Sequence, residues 1–261
     1  MPERVETVTT LPLSLRSKDP GVPPILLVSV RSVLEAEEAI AGGADILDLK
    51  DPERGSLGCA DRELMRLISP AGLPVTAALG ECMEWAGREA FELPGQLAAV
   101  KLGLAGLGGR ADWKAEWVEV RRRFEASSAR RLEWVAVAYV DSDSARAPSI
   151  TDVATAAVET GCRGLLLDTC DKGSGRLFDS VTERELAELA ERVHAAGLFL
   201  AAAGRLTTAD IARLAGLPVD IVAVRSAACA GNDRRSGVRG DRVAACRQAL
   251  TATPGRLSGA Y

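Results

Sequence analysis

Of the 32 basic residues in the chain, only five are lysines: Lys18, Lys50, Lys101, Lys114 and Lys172. Arginine stays protonated in a protein, whereas lysine can shed its proton and attack a carbonyl carbon as a free amine. A lysine kept in an apolar context therefore calls for a chemical reason, and three of the five stand in one. Asp48-Leu49-Lys50 ends an apolar run, and strand alternation puts Asp48 and Lys50 on one face with Leu49 on the other. Lys101 is the one charged residue in Ala98-Ala99-Val100-Lys101-Leu102-Gly103, and Lys172 follows Leu167-Asp168-Thr169-Cys170-Asp171. A single strand-end lysine reads as a surface cation or half of a salt bridge. Three that converge repel one another, so at least one should carry a depressed pKa and offer the free amine that Schiff-base formation requires. Asp48 and Asp168, each between apolar neighbours, are the carboxylates available to move protons beside them. Lys18, in a polar N-terminal stretch, and Lys114, beside Glu116 and Glu119 on an amphipathic segment, carry no such reading.

Two further loops have the composition of a phosphate cradle. Gly204-Arg205 and Arg225-Ser226 each end an apolar run and lead into small or capping residues. Small residues let backbone N–H groups approach a phosphate, and Arg205 or Arg225 can add a charge-assisted bond. The compact loop Asp51-Pro52-Glu53-Arg54-Gly55-Ser56-Leu57-Gly58 follows Lys50 directly and offers Ser56 to a second phosphate. His194, the only histidine, sits near the end of a helical segment before Ala195-Ala196-Gly197 and reads as a helix C-terminal residue rather than a base.

These residues need elements to hold them. Apolar runs recur at 25–30, 45–50, 74–80, 98–104, 132–140, 164–169, 198–204 and 220–226, several without any polar alternation, as in parallel strands covered by helices. Amphipathic stretches at 33–41, 61–68, 111–126, 150–160, 182–196, 207–215 and 241–250 separate them, opened by caps such as Ser32, Thr182 and Thr207. The third crossover, around 82–93, is the least regular. A repeat of about 28 residues suits an α/β single (β/α)8 TIM barrel, in which strand C-terminal ends carry the active site. A doubly wound sheet would show a Gly-rich fingerprint after the first strand, and Val30-Arg31-Ser32-Val33 has none. Residues 1–24 are expected to be an N-terminal extension and 25–261 the barrel.

Composition narrows the function. With a net charge of −4 and ten aromatics (4 Phe, 4 Trp, 2 Tyr), neither a basic surface nor stacking platforms for nucleic acid are expected, and no apolar run is long enough for a membrane span. Six scattered cysteines without a C-x-x-C pair and one histidine give a zinc site no support, and fit a reducing cytoplasm.

The strings Gly42-Gly43-Ala44-Asp45-Ile46-Leu47-Asp48-Leu49-Lys50-Asp51-Pro52 through Gly55-Ser56-Leu57-Gly58, Val100-Lys101-Leu102-Gly103-Leu104, Leu167-Asp168-Thr169 with Lys172, and Val224-Arg225-Ser226-Ala227-Ala228-Cys229 closely resemble the (5-formylfuran-3-yl)methyl phosphate synthase family over roughly residues 25–250. The resemblance implies a TIM-barrel lyase that joins two molecules of glyceraldehyde 3-phosphate into a furan, through a lysine-held intermediate, an aldol step and loss of phosphate, for methanofuran-type or other furan biosynthesis. It implies active-site roles for Asp48 with Lys50, for Lys101, and for Asp168 with Lys172, and no metal or organic cofactor. The partner is then a triose phosphate; a homo-oligomer is compatible with the sequence. Two rival readings are a simpler class I aldolase or triose-phosphate isomerase-like enzyme, and a barrel that binds a sugar phosphate without catalysis. Three retained strand-end lysines weigh against the last, since a pure binder could use Arg.

Overall fold

Each apolar run pairs in parallel with the next, and the eighth pairs with the first, so the sheet closes into a barrel. A computed structural model describes residues 22–68, 72–171, 173 and 175–251 of the chain. In order the elements are β1 (Ile25–Val30), α1 (Val33–Ala41), β2 (Ile46–Leu49), α2 (Arg62–Leu67), β3 (Val75–Glu81), β4 (Leu97–Gly103), α3 (Trp113–Ala126), β5 (Trp134–Tyr139), α4 (Ser142–Ala145), α5 (Ile150–Glu159), β6 (Gly164–Asp168), α6 (Leu177–Ser180), α7 (Glu183–Ala195), β7 (Phe199–Ala202), α8 (Thr208–Ala215), β8 (Ile221–Val224) and α9 (Gly240–Thr251). This is the expected (β/α)8 barrel. Most of the expected N-terminal extension lies outside the described residues, as do residues 252–261. Among the described residues no helix is long and apolar enough to cross a membrane.

The unbroken apolar runs have a physical cause: both faces of every strand are covered. One set of side chains, including Leu26, Val28, Leu47, Leu49, Val100 and Leu167, packs between sheet and helices. The alternate set, including Leu27, Ile46, Val135, Leu166, Phe199 and Ile221, fills the barrel interior. Helix starts are fixed by side-chain caps. Ser32 Oγ accepts the Glu35 N–H at 3.2 Å, and Thr182 and Thr207 form reciprocal capping boxes with Glu185 and Asp210.

Between β3 and β4 the described chain forms no α-helix, only a 3-10 turn over Cys82–Trp85 and a loop. Aromatic rings fill the space that a helix would cover. The Trp85 ring meets Phe124 edge-on at 4.7 Å and lies 5.8 Å from Phe91, and its Nε1 donates to Leu79 O at 2.7 Å.

The interior is closed at the bottom by Phe199, whose ring lies against Gly164; a Cβ at position 164 would fall 2.4 Å from that ring. Gly164→Ala should therefore cost about 1–3 kcal/mol of stability by overpacking. The denaturation midpoint should drop, and Phe199→Leu in the same chain should recover much of it; an unchanged midpoint in Gly164→Ala would mean the ring moves freely.

Candidate active site

Inward-facing positions of the first four strands build a polar layer within the barrel. Register pairs Ser29 of β1 with Asp48 of β2, and Asp48 with Thr76 of β3, while Lys101 of β4 lies beside Ala78. Asp48 and Lys101 are each 3% exposed. The Lys101 ammonium donates to Asp48 Oδ1 in a buried ion pair and to Thr76 Oγ1 at 3.2 Å. Thr76 Oγ1 donates to Asp48 Oδ1 at 2.6 Å, and Ser29 Oγ donates to Asp48 Oδ2 at 3.3 Å. Burial pushes the Asp48 carboxyl up, but the charges of Lys101 and Lys50 and the hydrogen bonds from Lys101 and Thr76 outweigh it and hold the group below the usual carboxylate range. Asp48 is thus kept as an anion inside the barrel.

Lys50, one residue past β2, is half-buried and shares a cavity wall with Asp48, Thr76, Lys101 and Asp168. The loop after it folds across the barrel mouth. Asp51 N donates to Gly58 O at 3.0 Å, and a Cβ on Gly58 would fall 2.1 Å from Asp51 O, so the turn closes only with glycine there. Leu57 enters the barrel interior, and Ser56 reaches the far wall. Ser56 is 3% exposed, and its single O–H is shared between Asp168 Oδ2 at 2.9 Å and Thr169 O at 2.8 Å. Ser56, expected to bind phosphate, has its hydrogen committed to orienting Asp168, whose Oδ1 accepts the Thr169 N–H at 2.8 Å.

The opposite wall is hollow because its inward residues are small: Ala201, Ala203 and Ala223 line the cavity together with Gly204, Arg205, Arg225 and Ser226. Gly204 (φ +110°) packs against Thr169 and Leu177, and Arg205 (φ +50°) is exposed on the rim. Arg225 differs from expectation. Its Nε donates to Arg234 O at 3.0 Å, its Nη1 to Ser29 O at 3.0 Å and to Glu35, and its Nη2 to Glu35 Oε1 at 3.0 Å and Ser236 O at 3.2 Å. That exhausts a guanidinium's N–H groups, so the side chain clamps the rim and has no N–H left for a phosphate. Arg225→Ala should lower stability by about 1–3 kcal/mol, because the buried Glu35 then keeps only Arg31, at 3.3 Å, as its cation and the loop after β8 loses its clamp. Denaturant titration should detect this, whereas a raised KM in a fully stable variant would restore a direct phosphate role.

Asp48, Lys50, Lys101 and Asp168 therefore meet at one cavity; Lys172 lies outside the described residues. Lys114 makes an exposed pair with Glu159 at 2.7 Å, and His194 Nε2 meets Asp220 Oδ2 at 2.7 Å just before β8, at the opposite end of the barrel from the cavity mouth. Sequence reasoning passed over Ser29 and Thr76, and Arg234 in the loop after β8. It also passed over Glu81, which accepts from Tyr139 OH at 2.5 Å and Ala105 N at 2.9 Å. Burial pushes the Glu81 carboxyl up and the Tyr139 phenol well above its ordinary range. Strand-end position was the available signal for Glu81 and Tyr139; β-alternation with Asp48 was the one for Thr76.

The solved structure of GGGPS from Thermoplasma volcanium superposes with a TM-score of 0.60 at 12% identity, covering 88% of this chain and 94% of that one, which is a likeness of fold. A Methanocaldococcus jannaschii protein named (5-formylfuran-3-yl)methyl phosphate synthase is 35% identical over 220 residues, 82% of this chain and 93% of its own. A Methanopyrus kandleri protein of the same name is 35% identical over 243 residues, 87% of this chain and 99% of its own. The model of the 4-HFC-P synthase family matches residues 26–247, and this chain belongs to that family.

Proposed function

We propose that this protein is a lyase that makes (5-formylfuran-3-yl)methyl phosphate from two molecules of glyceraldehyde 3-phosphate, with Lys50 carrying one of them as an imine, for methanofuran-type or other furan biosynthesis. What supports Lys50 is the contrast with Lys101. The Lys101 ammonium, although on the same cavity, is engaged by Asp48 and Thr76 at 3% exposure, whereas Lys50 stands half-buried on the cavity wall where a carbonyl can reach it.

In this reading the first triose phosphate isomerises to a ketone, which condenses with the Lys50 amine and expels water. The cationic imine acidifies the neighbouring C–H, and a carboxylate removes that proton to leave an enamine. Asp48, held as an anion, and Asp168, oriented by Ser56 and Thr169, are the bases within the same cavity. The enamine carbon attacks the aldehyde of the second molecule. Elimination of one phosphate, hydrolysis of the imine to free the Lys50 amine, ring closure and loss of two waters then give the aromatic furan, with the buried Asp48–Lys101 pair supplying a proton acceptor beside a proton donor. Lys172 is assigned beside Asp168 by the family resemblance alone. Gly204, Arg205 and Ser226 are the residues proposed to hold a substrate phosphate.

The test is to incubate purified protein with glyceraldehyde 3-phosphate alone and follow furan absorbance together with released phosphate. Equimolar furan and phosphate are expected. Dihydroxyacetone phosphate as the sole product, a six-carbon sugar phosphate without phosphate release, or binding without turnover would each replace this reading with one of its rivals.

A further inference from the structure

Three of the arginines in the loop after β8, Arg225, Arg234 and Arg235, have different fates. Arg235 pairs with Glu53 at 3.6 Å on the outside of the rim, where Arg31 also meets Glu53 at 3.5 Å and donates to Arg235 O at 2.6 Å. Arg225, at the root of the loop, spends its donors on Glu35 and on backbone carbonyls. Arg234 is half-buried and lines the same cavity as Lys50 and Asp168. Its Nη2 donates to Gly55 O at 2.7 Å, tying the loop after β8 to the loop after β2. Its Nε and Nη1 have no hydrogen-bond partner, and its guanidinium forms no ion pair, among the described residues. The backbone that presents it is fixed, because Arg234 O accepts from Arg225 Nε at 3.0 Å and Ser236 N closes on Asp233 O at 2.9 Å.

A half-buried guanidinium with an unfilled edge facing a cavity is suited to an oxyanion that can accept two parallel N–H bonds, and a phosphate monoester is such a group. Burial works against its cation first; among the neighbouring charges Asp168 and Glu53 favour it and Arg225 and Arg235 oppose it, so an arriving oxyanion compensates a guanidinium that has lost much of its water. The position is also separate from the turn at Gly204. That turn packs on Thr169 and Leu177 between the ends of β6 and β7, whereas Arg234 bridges the loops after β2 and β8.

We propose that Arg234 forms a second phosphate-monoester subsite, between the loops after β2 and β8, that takes the phosphate of the substrate molecule not held at Gly204 and Ser226. The inference deepens the two-substrate reading above. It places a cation at each phosphate, so that both trioses are held by their charged ends while their carbonyl ends meet at Lys50. Because Gly55 is only five residues past Lys50, filling the subsite also stiffens the loop that the nucleophile precedes.

The probe is glycerol 3-phosphate, which carries the phosphate but no carbonyl and cannot react. Calorimetric titration of the full-length protein should give two equivalents bound. Arg234→Ala and Arg234→Lys should each retain one equivalent at its original affinity and weaken the other by about tenfold to a hundredfold, with native circular dichroism in both. The Lys variant keeps a charge but not the fork, so its loss separates bidentate recognition from simple attraction. In turnover, both variants should raise KM for glyceraldehyde 3-phosphate more than they lower kcat. Two unchanged equivalents in both variants, or a single equivalent in the wild type, would overturn the subsite. If glyceraldehyde 3-phosphate yields no furan while Arg234→Ala still loses one glycerol 3-phosphate, the subsite stands and the furan-forming reading falls.

Discussion

Lys50→Arg protein should fold normally, keep its charge, and form furan from glyceraldehyde 3-phosphate about a thousandfold more slowly or not at all. The size of the loss follows from the role: removing a covalent nucleophile abolishes the path it opens rather than weakening a contact. Position 50 is half-buried at the cavity edge, so an arginine there has room and the variant should not unfold. Lys101→Arg should behave differently. Position 101 is enclosed among barrel residues at 3% exposure, and the larger guanidinium should cost about 1–3 kcal/mol of stability by overpacking. Comparing denaturation midpoints with turnover separates the two lysines: loss of activity without loss of stability belongs to Lys50, and loss of both to Lys101. A Lys50→Arg enzyme with near wild-type turnover would remove the imine from the mechanism.

Asp48→Asn should cost both stability and activity. The side chains of Asp48 and Lys101 are 5% and 4% exposed, and removing the anion leaves an ammonium enclosed by the barrel with only Thr76 and a neutral amide as partners. Breaking one side of such a pair costs about 3–5 kcal/mol. Lys101→Met in the Asp48→Asn background should recover part of the stability, since it removes the stranded charge, while turnover stays lost. The pH dependence has a defined sign. Asp48 is held below the ordinary carboxylate range in the folded chain, so its contribution is full above that range and is lost as pH falls below about 4 towards the folded value. Wild-type stability should therefore fall on acidification through that window, and the Asp48→Asn curve should lack this component. Parallel curves for the two proteins would mean that Asp48 titrates alike folded and unfolded.

The residues that sequence reasoning could see are those whose type conflicts with their surroundings. Lys101 in an apolar strand, and Asp48 with Lys50 at the end of one, are marked by charge where the pattern asks for Val or Leu, and the structure gathers them at one cavity with Asp168. Strands were legible for the same reason, because burial on both faces leaves unbroken apolar runs, and helix starts because Ser32, Thr182 and Thr207 cap locally. What stayed hidden depends on partners far along the chain. Ser56 lies 112 residues from Asp168, and Arg225 lies 190 from Glu35, so neither local string tells that its donors are already committed. The small helices α4 and α6 escape the periodicity because four residues make only about one turn. Ser29 and Thr76 look like ordinary polar residues in strands until register sets them beside Asp48.

The most direct test of the lysine chemistry is to add borohydride to the enzyme during turnover of glyceraldehyde 3-phosphate and locate the reduced adduct by peptide mass spectrometry. Lys50 should carry a single adduct, absent without substrate and absent in Lys50→Arg. An adduct on Lys101 or Lys114 with Lys50 unmodified, or no adduct in an enzyme that is forming furan, would contradict it.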